Sequence, residues 1–420
     1  MQLKTRIIPI SMAYAEGGYT AVVAVGCPEV RLNLLLDTGS SALAVRQSCY
    51  QPEQDQEVQL SADIQLMSYG AGGWAGSLVS TQLAVGYSSG QQLAARAELA
   101  VIVDEPSHNF YQADGIWGLA YAELDSVYQA EQFLQQHQVS PALSWPWPEQ
   151  VLSSGAALDT LRQQLQNCPR RTVQPLFGAL QQQNALKNSF ALLTRRAVYH
   201  HYGSTATSEA DKLDPLNQGL LVLGNAELCT DLYQEPLQSI SLVHDKYYNT
   251  ELLSIQLEGF AAFAVPALAE QDVAAYGSNS IFDCGSSFLI LEQSCYQYLI
   301  QSFCSFNPLF AEQITKALDA RNNMQGLPME QLQLSDWPDI LLTLRGSDCH
   351  QSDVILRVKS CEYWQINAPV QGQAMFLLAS QLAGWASQNI LGLPVMNNKY
   401  CIFDRAADNG MGVIKVAKAK

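Results

Sequence analysis

The stretch LLLDTGSSALAV, residues 34–45, drives an apolar run into Asp37 and then through a tight turn of Thr38, Gly39, Ser40 and Ser41. Charge is expensive at the end of a buried strand, so Asp37 is either a turn residue reaching solvent or a group whose proton affinity serves chemistry. A second stretch decides between these. SIFDCGSS, residues 280–287, repeats the pattern of apolar run, aspartate (Asp283), one residue, glycine and two serines. An apolar-apolar-glycine segment follows each copy, in DGIWGLAY at 114–121 and in NILGLPV at 389–395. The strand–turn–strand unit therefore occurs twice with its supporting element. A fold with pseudo-twofold symmetry brings Asp37 and Asp283 face to face.

The composition narrows what such a pair serves. The 420 residues are 48% hydrophobic and 15% charged, which describes a compact protein with a large core rather than a disordered chain. A net charge of −16 repels phosphate and anionic lipid, which speaks against nucleic-acid and membrane partners. The N-terminal stretch lacks a continuous apolar segment with a small-residue cleavage site, and no Asn-x-Ser/Thr acceptor occurs. No apolar run is long enough to span a bilayer, so the expected location is cytoplasmic. Ten cysteines without a C-x-x-C pair read as reduced thiols. Six histidines without H-E-x-x-H give no metal site, and the adjacent His200 and His201 read as solvated residues on a polar segment. No cofactor is expected.

Along the chain the pattern is mainly β. GGYTAVVAVG and VRLNLLLDTGSS have the small, β-branched and alternating residues of strands. SADIQLMSYGAGGWAGSLVSTQLAVG reads as two strands around a glycine-rich turn, with Gly70, Gly72 and Gly73 available for positive φ. Residues 122–171 change character: they are rich in Gln, Ala and Leu, include the helix-period segment LDTLRQQLQN, and hold the proline-broken SPALSWPWPEQ. The polar stretch through YHHYGSTATSEADKLDPLNQG reads as a linker or surface insertion. The expected organisation is an N-terminal lobe over 1–199 with an insertion near 122–171, a linker over 200–218, and a C-terminal lobe over 219–420. A helical patch is expected near 291–302.

Two carboxylates a few ångströms apart share one proton and titrate in two steps, one low and one raised. The singly protonated pair can deprotonate a water with one oxygen and protonate a carbonyl with the other. Such a pair hydrolyses an amide directly, without a metal or a nucleophilic side chain. Gly39 and Gly285 permit the sharp turns and leave backbone N–H groups facing the carboxylates. Ser40 and Ser286 are placed to hydrogen-bond their outer oxygens.

These segments resemble the pepsin-like aspartic peptidases over nearly the whole chain, similar to a bacterial homologue such as the shewasins. LLLDTGSSALAV and SIFDCGSSFLIL resemble the two active-site loops, LMSYGAGGWAG the flap, and ADGIWGLAY, WPDILLTLRG and NILGLPVMNNKYCIFDRAADNGMGVIKVA the remaining signatures. The resemblance implies an all-β, bilobal fold with the cleft between lobes and the last strands returning to an inter-lobe sheet. It implies a monomer acting on polypeptides as an aspartic endopeptidase, pepstatin-sensitive and acid-active. Asp37 and Asp283 become the catalytic dyad, supported by Thr38, Gly39, Ser40, Cys284, Gly285 and Ser286. Tyr69, Gly70 and Gly72 become flap residues. Leu35, Ala113, Ile116, Tyr247 and Ile281 fall where the family lines its central pockets, which implies a preference for large hydrophobic residues flanking the cleaved bond; each is equally explained as core.

The chain departs from the family at four positions. Cys284 stands for the usual threonine after the second aspartate. Ala44 stands for a tryptophan that supports the flap tyrosine, a role for which Trp74 is the substitute candidate. Ala71 replaces a flap hydroxyl, and Leu393 an acidic residue. Asp37 has 36 residues before it, so no propeptide is expected and pH alone limits activity. The insertions read either as surface expansion or as a partner surface or restriction on cleft access. A catalytically weak or inactive pepsin-fold module for binding or inhibition stays open as the alternative, as does a scaffold that recruits a partner.

Overall fold

Strand Val30–Asp37 shows how the sequence builds the architecture. Leu32, Leu34 and Leu36 alternate into the core while Arg31 and Asn33 do not, the period-two pattern of a strand with one face inside. The computed structural model describes residues 4–15, 17–69, 72–86, 92–105, 110–203, 209–347, 352–382 and 384–420. The architecture is all-β in class, with helices at the margins of the sheets. It divides into two compact units, one of residues 20–186 and one of residues 1–19 with 187–420.

In the unit 20–186, strands Gln59–Tyr69 and Gly72–Val85 form a long antiparallel hairpin with Tyr69 opposite Gly72. Gly72–Val85 pairs onward with Leu93–Asp104, and its far end also meets Thr20–Val25, which curls the sheet on itself. Leu93–Asp104 lies parallel to Leu43–Arg46. Strand Gly115–Gly118 is inserted between Leu43–Arg46 and Val30–Asp37, antiparallel to the first and parallel to the second. Ser126–Gln129 and Arg170–Thr172 extend the edge beside the hairpin. The helix-period segment of the insertion forms helix Leu158–Gln164.

The other unit contains the same local device. Strand Asn389–Leu391 is inserted between Ser280–Phe282, to which it is parallel, and Leu289–Leu291, to which it is antiparallel. A separate run of paired strands in this unit joins Thr5–Ser11, Gln218–Gly224, Ser189–Leu193, Lys399–Asp404, Val413–Ala419 and Tyr233–Ser241 in that order. The buried Asp404 at the end of its strand is held by Lys187 at 2.8 Å and Lys415 at 3.2 Å. Helix Gln293–Phe306 starts at a Glu292 cap that accepts from the Ser294 and Cys295 N–H groups. It is followed by helix Pro308–Asn322, capped by Asn307. Both helices face an aromatic core in which Phe310 stacks on Trp337 at 3.9 Å between ring centres.

One expectation is reversed. His200 and His201 are buried rather than solvated. His200 Nδ1 bonds Asp214 Oδ2 at 2.9 Å, and its other nitrogen meets the Asn367 amide at 3.0 Å. Among the described residues of this segment, polar groups supply partners to one another: the His200 N–H donates to Asn217 Oδ1 at 2.8 Å, and the Asn217 amide donates to the Asp211 carbonyl at 2.9 Å. Among the described residues the cysteines at 27, 49, 168, 229, 284, 295, 304, 361 and 401 form no disulfide; Cys349 lies outside the described residues.

The inserted strands require glycine. A Cβ on Gly118 would lie 2.4 Å from the Ser41 carbonyl carbon, and one on Gly392 2.2 Å from the Phe288 carbonyl oxygen. We expect Gly118→Ala and Gly392→Ala each to lower stability by about 1–3 kcal/mol or more, because backbone must move. Gly155→Ala, whose added methyl meets nothing within 4 Å, stays within about 0.5 kcal/mol. Urea-unfolding midpoints of the three variants check this.

Candidate active site

Asp37 sits at the end of its strand opposite Gly118, where the ladder stops and the chain turns. Its Oδ1 accepts from the Gly39 N–H at 2.7 Å and its Oδ2 from the Ser40 hydroxyl at 2.5 Å. The inserted strand continues into N–H donors that fasten the turn: Leu119 to the Asp37 carbonyl at 2.6 Å and Ala120 to the Ser40 carbonyl at 2.8 Å. Asp37, Thr38 and Ser40 are all buried.

Asp283 follows directly on strand Ser280–Phe282. Its Oδ1 accepts from the Gly285 N–H at 2.8 Å, and its N–H donates to the Leu391 carbonyl at 3.1 Å. The serine hydroxyl differs: Ser286 donates to the Phe288 carbonyl at 3.0 Å rather than to a carboxylate. Cys284 is buried, and Asp283, Gly285 and Ser286 are partly exposed. The two turns are thus alike in backbone and unlike in that one hydroxyl.

Tyr69 ends the first hairpin strand. Trp74, fully buried on the second strand, lies diagonally across the same face and donates its indole N–H to the Tyr69 hydroxyl at 3.1 Å. Ala44, where the sequence lacks a tryptophan, is fully buried between Ile116 and Ala100, so the supporting indole comes from the hairpin itself. Burial pushes the Tyr69 phenol up and the Asp37 charge adds to this, while hydrogen bonds with Trp74 and Ser40 pull it back. Gly70 and Ala71 lie outside the described residues; Gly72 is part-buried with φ +146°.

The expected pocket residues are placed in two neighbourhoods. Leu35, half-buried, pairs with the buried Ile116, and the buried Ala113 precedes that strand. In the other unit the buried Ile281 pairs with Asn249, whose side chain accepts from the Tyr247 N–H at 2.9 Å. Among the described residues no cluster of three or more His, Cys, Asp or Glu is arranged to hold a metal, and no helix is long and apolar enough to cross a membrane.

The sequence reading missed a buried carboxyl behind the hairpin. Asp125 is 2% exposed, and its Oδ1 accepts from the Gln65 amide at 2.5 Å. Gln65 shares the strand face of Met67 and Tyr69, so a glutamine at a core-facing position between Ile64 and Leu66 was the available signal. Burial raises Asp125 to about 7, the Glu98 charge raising it further; the Gln65 bond and Arg171 work against this.

Residues 18–143 match the family model described as eukaryotic aspartyl protease. The match takes in Asp37, the hairpin with Tyr69 and Trp74, and the inserted strand Gly115–Gly118. Asp283 lies beyond it. No curated protein matches the chain.

Two measurements follow from this geometry. Trp74→Phe removes the donor to Tyr69 and leaves a small cavity where the indole stood, so the variant loses about 1–3 kcal/mol in thermal unfolding, and a Trp74→Phe/Tyr69→Phe double variant loses less than the sum of the singles. Asp125, raised in the folded chain above its usual 3.8, binds its proton more tightly folded than unfolded. Its contribution is therefore full below about pH 4 and is lost as pH rises through 7. Asp125→Asn removes that loss, on the order of 4 kcal/mol at about 1.4 kcal/mol per pKa unit, and gains on wild type at pH 8 but not at pH 4. Equal melting shifts at both pH values would contradict the assignment.

Proposed function

We propose that the chain is an aspartic endopeptidase in which Asp37 and Asp283 form one catalytic dyad. The observation that carries the reading is the recurrence, at each aspartate, of a strand end, a Gly N–H at 2.7 or 2.8 Å from the inner carboxylate oxygen, and a third strand inserted beside the turn. The family match over residues 18–143 supports a peptidase for the first half of this arrangement.

In the proposed reaction the dyad carries one proton. The ionised carboxylate takes a proton from water as the water oxygen bonds the peptide carbonyl carbon, and the protonated partner gives its proton to the carbonyl oxygen. The tetrahedral diol then collapses. The first carboxyl passes the water's proton to the leaving nitrogen, the C–N bond breaks, and one diol hydroxyl returns its proton to the second carboxylate. The dyad ends as it began. Tyr69, braced by Trp74, closes over the reacting carbonyl and excludes water. The apolar surfaces of Leu35 and Tyr247, each half-buried, suit large hydrophobic residues on either side of the cleaved bond.

The test is cleavage of a peptide with Leu or Phe flanking its central bond, across pH 3 to 7. Activity falls toward pH 7 as the second proton leaves the dyad. Asp37→Asn and Asp283→Asn each lower kcat by about a thousandfold or more, and pepstatin abolishes cleavage by wild type. Equal activity in wild type and both variants would remove the dyad from the mechanism, and cleavage undiminished at pH 7 would remove the acid requirement.

A further inference from the structure

A hairpin that projects over a site is expected to show alternate burial, with one face in solvent. Here Ile64, Gln65 and Leu66 are consecutively buried in one strand, and Gly73 through Val79 in the other. Both faces are covered along this stretch, while Ser68 beyond it is exposed. Tyr69, Trp74 and Gln65 occupy one face; Leu66, Ser68, Gly73, Ala75 and Ser77 occupy the other, as the pairings Leu66 with Ala75 and Ser68 with Gly73 require.

The second face is covered by the insertion. Ile64, Leu66 and Ala75 form one apolar cluster with Leu134, Leu161 and Leu165 of that segment. Polar contacts fix it in register: Ser77 donates to the Ser144 carbonyl at 2.5 Å, and the Ser144 N–H donates to the Ser61 carbonyl at 2.9 Å. The cover reaches the end of the hairpin that carries Tyr69. Leu158 Cδ1 lies 2.6 Å from where a Cβ of Gly73 would stand, so its methyl packs directly on that backbone. The Arg162 guanidinium donates to the Ser68 hydroxyl, one residue before Tyr69, and is itself oriented by Asp159 at 2.7 Å.

We propose that residues 130–168 are a brace for the hairpin, and that Arg162 and Leu158 are positioning residues that hold Tyr69 through Ser68 and Gly73. A segment that only enlarged the surface would need no contact at this end; the cluster around Leu161 and Leu165 would suffice. Opening the hairpin here means parting Leu158 from Gly73 and Arg162 from Ser68. The strand ends at Ser68–Tyr69 and Gly72–Gly73 are thereby tied to the cluster of the insertion, whereas lids are usually drawn from the low-stability end of a molecule. The catalytic meaning of the brace rests on the peptidase reading; the stiffness does not.

Amide hydrogen exchange on the full chain tests the stiffness directly, in wild type, Leu158→Ala/Arg162→Ala and Leu158→Ala/Arg162→Lys. In the first double variant, exchange at residues 66–69 and 72–75 rises about tenfold, while the hairpin base near residues 79–85 keeps wild-type rates. The lysine variant recovers part of the protection through its own donor. Unchanged exchange at the hairpin end, or a uniform rise throughout residues 20–186, overturns the proposal. On a cleaved peptide, Arg162→Ala raises KM several-fold with kcat within about twofold, because substrate must then order the hairpin on binding. A fall in kcat at constant KM counts against it. If wild type cleaves nothing, the peptidase reading fails while the exchange measurement still decides the brace.

Discussion

At Gly118 the backbone of one strand runs against the backbone of the Ser41 turn with no room for a single methyl, and at Gly392 another strand does the same against Ser286 and Phe288. The rest of each aspartate turn depends on these close approaches. A strand inserted between the two arms of a turn must donate its N–H groups to the turn carbonyls, and this holds the carboxylate at the ladder's end rather than in a mobile loop. Glycine at the contact is therefore a packing requirement as much as a conformational one. It explains why an apolar-apolar-glycine segment accompanies each aspartate in the sequence.

The hairpin beside the first turn follows a different logic, because its two faces have different partners. The face of Gln65 and Tyr69 is polar at intervals: an amide on a buried carboxyl, then a phenol on an indole. The opposite face, with Ile64, Leu66 and Ala75 in an apolar cluster and Ser68 and Ser77 bonded at its ends, belongs to the insertion. The tryptophan that holds the phenol is on the neighbouring hairpin strand, so tyrosine and support move together as one rigid piece. A support on a separate strand would restrain the hairpin against the body of the unit; a support within the hairpin leaves that restraint to another contact, and the insertion supplies it. Ala44 and the 122–171 segment, unrelated in sequence, are thus connected in structure.

Much of this was legible from local pattern. Period-two alternation gave the strands around Leu34 and the hairpin around Tyr69, and the repeated D-x-G-S-S gave the two turns. Trp74 could be proposed as a substitute once Ala44 was noticed, because a cross-strand diagonal is a short-range relation. What stayed illegible was long-range. Nothing near His200 in sequence says that Asn367 will meet its ring, so a polar segment looked solvated. Gln65 among Ile64 and Leu66 gave no sign of Asp125, because the partner is sixty residues away and the face it occupies depends on the insertion covering the other. Helix Pro308–Asn322 gives a weak pattern because its apolar residues are not confined to one face, Leu309 being exposed while Phe310, Ile314 and Ala317 are buried. Tertiary packing rather than amphipathic strength holds it.

Two buried aspartates in the same unit show what sets a carboxyl here. Burial pushes Asp55 up, but donors from Thr81, Tyr50 and the N–H groups of Glu57 and Cys27 outweigh it, and the group lies below its usual value. Asp125 has the Gln65 amide and a distant Arg171 that is engaged by Asp63 and Glu98, so burial wins and the group rises to about 7. The difference lies in donors as well as in depth, Asp125 being the more deeply buried of the two. The unit therefore contains one carboxyl that stays charged through mild acid and one that becomes neutral there. The neutral form suits the hairpin best, since burial disfavours the anion by more than the Gln65 bond favours it. The strand carrying Tyr69 is thus best settled at acidic pH, the same condition under which a dyad of aspartates would hold its single proton.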